Sequence, residues 1–455
     1  MANTEAHGRG NWNSTLGFVL AAAGSAVGLG NIWGFPSQVA DNGGAIFILI
    51  YLICCFAIGL PVMIAELTIG RHTKKNPVGA FRMLGKGPLA PLIGVWGLIC
   101  GVMILAFYLV VSGWTLAYVI EEILYYFGQT ELAAVVGNLE HGTKNAIFSV
   151  FFMLATITII TGGISNGIEK ATKMLMPVLI GLLLIMIFYV LTLDGAMDGV
   201  KVYLMPDFSE LNTGVVLSAM GQAFFSLSLG MGALITYGSY ISKHQNIVHS
   251  ATYVTLADIG IAFLAGFLII PAMYVALSSG INILDADGNL VAGTQLVFIV
   301  LPEMFHNMGT FGLLAGVAFF TLLSLAALTS TISLLEVPVA YAIDEHRITR
   351  RKAAWGIGGG IAVLAVIVSY NIQLIDILVS IFNEIGLPLG GLMICLFLGY
   401  YWKTENALLE ISKGYENVGE SSFGAIWSFF IRYICPLLIG LVFISTIYSM
   451  LPWFD

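Results

Sequence analysis

The sequence predicts an all-α polytopic membrane protein of about eleven transmembrane helices, and three observations carry that expectation. Of 455 residues, 58% are hydrophobic and only 10% are charged, against roughly a quarter charged in an ordinary soluble domain. That is too little charge to coat a chain of this length, so apolar residues must face lipid. Eleven apolar runs are each long enough to cross a hydrocarbon core about 30 Å thick. They do not alternate with period two, as the strands of a membrane barrel would.

In order, the runs are Leu16–Phe35, Ala45–Ile69, Pro91–Val119, Ala146–Thr161, Met174–Thr192, Val215–Tyr240, Ile247–Leu277, Gly309–Tyr341, Ala354–Val368, Ile377–Trp402 and Phe423–Met450. The first follows a polar leader and is read as a retained helix, not a signal peptide. Basic residues set the orientation. With the N-terminus inside, sixteen of the eighteen Lys and Arg residues fall on the inner side, from Arg9 through Arg71, Arg82, Lys173 and Arg350 to Arg432. Only Lys144 and Lys201 fall outside. This places the N-terminus in the cytoplasm and the C-terminus outside an inner (plasma) membrane. The net charge of -8 reflects outer-loop acids such as Glu140, Asp198 and Asp207 and points to no nucleic-acid partner. The five cysteines all lie in apolar runs, so neither a disulfide nor a metal site is expected of them.

No soluble domain interrupts the helices, so residues 1–455 read as one transporter domain. Its longest polar stretches are Gly128–Asn145, Asp194–Gly214, Ser278–Gln295 and Lys403–Ser422. Behind the third, Leu296–Leu301 is apolar enough to fold back as a cap over an outer vestibule. A plain connector fits equally well.

Two spans carry unusual sequence. The first reads Gly24-Ser-Ala-Val-Gly28-Leu-Gly30-Asn31, and the sixth reads Ser226-Leu-Ser-Leu-Gly230-Met-Gly232. Each interior Gly costs a helix about 1 kcal/mol relative to Ala. Lipid offers no partner for unwound backbone, so such breaks persist where they line a cavity. The plainer reading is close helix packing through small residues. Matching positions five spans apart favour the first reading. They suggest an inverted repeat of spans one to five (14–195) and six to ten (213–402), with span eleven (423–450) added, and a binding site between the breaks.

The same segments supply oxygen ligands suited to a hard cation such as sodium. Carbonyls come from Gly24, Ala26 and Val27, and side-chain oxygens from Asn31, Ser226, Ser228, Thr329, Ser330 and Thr331. The amides of Leu29 and Gly30 are expected to be free for a carboxylate, as half-helix N-termini are.

Gly24–Pro36 (GSAVGLGNIWGFP), Phe225–Gly232 (FSLSLGMG) and Ala326–Ser330 (AALTS) together resemble the signatures of the neurotransmitter:sodium symporter family. The likeness runs from Arg9 to span eleven. It implies the leucine-transporter-like fold and sodium-coupled uptake of a substrate by alternating access, with two Na+ ions. By resemblance, one ion is held by the carbonyl of Ala26 with Asn31, Ser226 and a span-seven residue, here Asp258. The other is held by carbonyls of Gly24, Val27 and Ala326 with the hydroxyls of Thr329 and Ser330. The implied substrate pocket is lined by Ala26, Leu29, Gly30, Ile104, Tyr108, Phe225, Ser226, Ser228, Met231, Ser330 and Leu334. Tyr108 would hydrogen-bond the substrate carboxylate, although a buried tyrosine taken alone reads as plain core.

Relatives that carry monoamines place an Asp where this chain has Gly28. The glycine leaves room for a carboxylate brought by the substrate, so an α-amino acid is expected. Met231 stands where several relatives carry an aromatic, and its adaptable side chain suggests a range of hydrophobic amino acids. The implied inner gate pairs Arg9 with Asp344, near Trp12 and Tyr240, although these charges alone read as ordinary interfacial ones. The relatives' outer Arg is Gly34 here, which leaves Trp33 to cover the site. Chloride-dependent relatives use positions equivalent to Tyr51, Gln222, Ser226, Asp258 and Ala262, with Asn and Ser at the last two. Asp258 here suggests chloride independence.

Three further features remain. Gly167 and Pro177 in span five suggest either a hinge or a helix start near Met174. Glu66 and Glu336 are expected to hydrogen-bond unwound backbone, while Glu384 has no assigned role. A proton-coupled amino-acid permease of related fold is the competing reading. A channel lacks a pore-lining ring, and an enzyme would need a metal or nucleophile cluster at mid-membrane that the seven histidines do not form.

Overall fold

The computed structural model describes residues 10–283, 293–415, 418 and 421–449. Among these, nine helices are long and apolar enough to cross a membrane: Ala45–Thr73, Ala90–Tyr126, Gly142–Thr161, Ile164–Val190, Ile247–Ser278, Gly309–His346, Arg350–Tyr370, Gln373–Ile411 and Ser422–Tyr448. Two broken spans complete the expected eleven. The first is Thr15–Ala26 followed by Gly30–Asp41, bent by 54°. The sixth is Thr213–Ser226 followed by Ala233–Gly238.

Local sequence explains several irregularities. Pro61 removes a donor from span two and crowds the carbonyl one turn back. The helix answers with a π turn at Cys55–Gly59 before continuing as Leu60–Thr73. The Ala57 carbonyl, loosened there, accepts from the Cys435 thiol at 3.8 Å, and the Pro61 carbonyl accepts from Trp427 Nε1 at 3.1 Å. Span eleven is thereby stitched to span two.

Span five corrects an expectation. It starts at Ile164 as a π turn through Glu169 and runs with Pro177 inside it, so no helix begins near Met174. The polar segment that hid this start is anchored by Glu169, which is 1% exposed. Its carboxylate accepts from the Asn13 amide at 2.8 Å, from the Ser14 hydroxyl at 3.1 Å and from Lys173 at 2.6 Å. Span three also outruns its apolar stretch, because Glu121 and Glu122 are buried within it. Spans three and eight pack along each other, and the first half of span one lies against spans five, seven and eight. The two breaks therefore sit at the centre of the bundle.

Candidate functional site

The break in span one is confined to Val27–Leu29, since Thr15–Ala26 remains helical through Gly24. In span six the chain leaves the helix after Ser226 and re-enters at Ala233. Three residues there take left-handed backbone: Ser228 at φ 54°, Gly230 at φ 82° and Gly232 at φ 78°. Such a conformation strains a residue with a side chain by about 1–3 kcal/mol. The Ser228 hydroxyl offsets this by donating to the Ser25 carbonyl at 2.9 Å, tying one break to the other. Gly230 has a second reason to lack a side chain, because a Cβ there would lie 2.2 Å from the Leu387 carbonyl oxygen. The Gly230 amide donates to Glu66 at 2.8 Å, the role expected of Glu66.

Between the breaks lies a cavity of about 30 Å³ lined by Ser25, Ala26, Gly28, Gly30, Ile104, Tyr108, Phe225, Ser228, Met231, Ser330, Ser333, Leu334 and Leu387. Nine of the eleven expected pocket residues are in that lining, namely Ala26, Gly30, Ile104, Tyr108, Phe225, Ser228, Met231, Ser330 and Leu334. The other two sit differently. Leu29 contributes its backbone amide, which donates to the Tyr108 hydroxyl at 3.0 Å, so that amide is not free as expected. The Ser226 hydroxyl turns away from the cavity to Asp258. Gly28 is packed tightly, and a Cβ there would meet Ser330 Oγ at 2.3 Å and Tyr108 Oη at 2.7 Å.

Two oxygen-rich clusters flank the cavity. In one, the Thr329 hydroxyl donates to the Ala326 carbonyl at 2.8 Å and to the Val27 carbonyl at 3.2 Å. A Cβ on Gly24 would lie 3.3 Å from Thr329 Cβ, so the Gly24 backbone passes directly alongside. Ser330 reaches the Ser25 carbonyl at 3.5 Å. In the other cluster, fully buried Asp258 accepts from Asn31 Nδ2 at 2.7 Å, the Ser226 hydroxyl at 2.8 Å and the Tyr51 hydroxyl at 3.3 Å. Asn31 Oδ1 accepts from the Gly28 amide at 3.1 Å. Gln222 donates to the Gly30 carbonyl at 2.9 Å, one step from this network.

The inner side of the site is plugged. Trp12 is buried, donates to the Tyr237 carbonyl at 3.1 Å and meets Phe18, Tyr237 and Tyr240 edge-on. Tyr240 donates to Glu336 at 2.7 Å. Glu336 also accepts two bonds from Arg350, at 2.7 and 2.9 Å, rather than capping unwound backbone as expected. Asp344 accepts from the Asn76 amide at 2.8 Å, while Arg9 lies outside the described residues.

On the other side, Leu296–Val300 and Leu301–His306 do fold back as a cap, and Phe298 meets the Trp33 ring edge-on at 5.6 Å. A larger cavity of about 390 Å³ includes Gln38, Gln222, Asn383 and Glu384 in its lining. Phe225 and Leu387 border both cavities and form the partition between them. The sequence had not marked Ser25, Ser333 or Leu387. For Ser25 the signal was available, as a carbonyl beside two candidate hydroxyls. Leu387 carried none.

The family model described as the sodium:neurotransmitter symporter family matches residues 9–127 and 122–453. The chain is 33% identical to the "Uncharacterized sodium-dependent transporter YhdH" of Bacillus subtilis, over 96% of this chain and 97% of that one. It is 27% identical to the human "Sodium- and chloride-dependent GABA transporter 2", over 76% and 63% of the two chains. The crystal structure of MhsT in complex with L-phenylalanine superposes with a TM-score of 0.84 at 40% identity, covering 96% of this chain and all of that one. Broken spans, central cavity and sequence thus agree, and the chain belongs to the sodium:neurotransmitter symporter family as a membrane transporter, not an enzyme.

Proposed function

We propose that this transporter carries hydrophobic L-amino acids, aliphatic and aromatic, into the cell together with two sodium ions, and that it needs no chloride. It does so by alternating access in the inner membrane, with the N-terminus cytoplasmic and the C-terminus outside. The observation that carries this reading is the cavity itself. Tyr108 and the tight Gly28 turn form one end, and Ile104, Phe225, Met231 and Leu334 form apolar walls. A zwitterion suits such a site, its charged head at the broken backbone and its side chain against the walls. L-Phenylalanine in the related MhsT structure supports an aromatic substrate.

The oxygen clusters fit the cations. In one, Ala26, Asn31, Ser226 and Asp258 would hold sodium. In the other, Gly24, Val27, Ala326, Thr329 and Ser330 would do so, all of them hard ligands. A buried carboxylate at Asp258 supplies the negative charge that two sodium ions and a zwitterion call for in a low-dielectric site. That is the basis for chloride independence.

Purified protein in liposomes should take up L-phenylalanine and L-leucine under an inward sodium gradient and not under a potassium gradient. Replacing chloride with gluconate should leave the rate unchanged. Asp258→Asn combined with Ala262→Ser should make uptake chloride-dependent. If the wild type already requires chloride, or the double variant runs equally well without it, the assigned role of Asp258 is wrong. If uptake runs equally under potassium, coupling to sodium is wrong.

A further inference from the structure

Far from the central cavity, near the end of span three, Glu121 and Glu122 are only 7% and 2% exposed. His306, at the end of the cap helix Leu301–His306, faces both. Its Nε2 lies 3.4 Å from Glu121 Oε2 and 3.6 Å from Glu122 Oε2. Glu121 Oε2, Glu122 Oε1 and His306 Nε2 are sealed from solvent and make no hydrogen bond. Two adjacent buried carboxylates are costly unless a cation compensates them. A protonated histidine brings one positive charge against two negative ones, whereas a divalent ion balances both.

We propose that Glu121, Glu122 and His306 form a binding site for a divalent transition metal of the zinc class. The candidate ligand atoms of all three lie within 4.8 Å of one another. Ligands about 2.1 Å from a tetrahedral centre stand about 3.4 Å apart, so the observed spacing needs little movement to close on an ion. A nitrogen and two carboxylates suit zinc, whereas magnesium and calcium take six or more oxygens. A cavity of about 210 Å³ beside Glu122 and His306 leaves room for a fourth, solvent ligand. The site is also held in place. The His306 ring stacks on Tyr125 at 3.5 Å, and Gly316 on span eight makes space for the Glu122 carboxyl, whose carbon a Cβ would approach to 2.4 Å.

A metal here would pin the cap to span three. The same cap presents Phe298 to Trp33 and accepts a hydrogen bond from Tyr118 at its Phe298 carbonyl, at 2.8 Å. Span three also carries Ile104 and Tyr108 of the central cavity. Zinc therefore restrains the motion of cap against core and slows transport.

The test uses full-length protein with any affinity tag removed. Zinc chloride is titrated calorimetrically at neutral pH in excess magnesium, and uptake is measured in liposomes with and without zinc. The wild type binds one equivalent. His306→Ala and His306→Gln each weaken binding by more than about 100-fold, beyond the 10–100-fold that loss of a merely supporting partner costs. Zinc slows uptake by the wild type and not by either variant, and their uptake without zinc matches the wild type. No zinc binding by the wild type, or equal binding by the wild type and both variants, overturns the site. Zinc-bound wild type with undiminished uptake overturns the pinning of the cap. Binding is read directly, so neither result depends on which substrate the transporter carries.

Discussion

Gly28→Asp is expected to abolish binding and uptake of L-amino acids, with affinity falling by more than about 100-fold, or about 3 kcal/mol. Two effects act together. The added Cβ alone would sit 2.3 Å from Ser330 Oγ and 2.7 Å from Tyr108 Oη, so both hydroxyls must shift. Overpacking of this kind costs about 1–3 kcal/mol. The carboxylate then places a like charge where, on the proposed reading, the substrate carboxylate sits. Gly28→Ala separates these effects, since it carries the bulk without the charge and should lose less. The measurement is equilibrium binding of radiolabelled L-phenylalanine to purified protein in sodium. Undiminished binding by Gly28→Asp would place the substrate carboxylate elsewhere and remove the argument for an amino acid.

Thr329→Val with Ser330→Ala should raise the sodium concentration for half-maximal uptake by roughly 10–100-fold, at about 1.4 kcal/mol per tenfold. Both hydroxyls lie on the span-eight face that meets the span-one break. Thr329 already bridges the Ala326 and Val27 carbonyls, so the oxygens are assembled within hydrogen-bond reach of one another. Valine keeps the shape of threonine, and expression and helix content should hold. Losing the Thr329 bridge leaves two carbonyls short of a donor, at about 1–3 kcal/mol each. Thermal stability in sodium-free buffer is therefore the control. A variant that melts normally but needs more sodium supports the second ion. An unaltered sodium dependence sinks it.

The eleven spans were legible in the sequence because hydropathy is a local property, and lipid demands about 20 apolar residues wherever a helix crosses. The breaks in spans one and six were legible for a related reason. Gly28, Gly230 and Gly232 are costly in a helix, and Gly230 and Gly232 do take left-handed backbone here. Most of the cavity lining followed once these breaks and the span-eight hydroxyls were set side by side.

Burial of charge was not legible, because whether an acid can sit inside depends on a partner distant in sequence. Span five was expected to begin near Met174, yet Glu169 is buried at its true start by Asn13 and Ser14, some 155 residues earlier in the chain. Glu336 was expected on unwound backbone, but the fold brings Arg350 and Tyr240 to it instead. His306 meets Glu121 and Glu122 only because the cap folds back across the end of span three. Composition and local pattern determined that this chain is a bundle of membrane spans with two broken ones. Tertiary packing decided which polar groups meet, because a buried polar group takes whatever partner the neighbouring helices present to it.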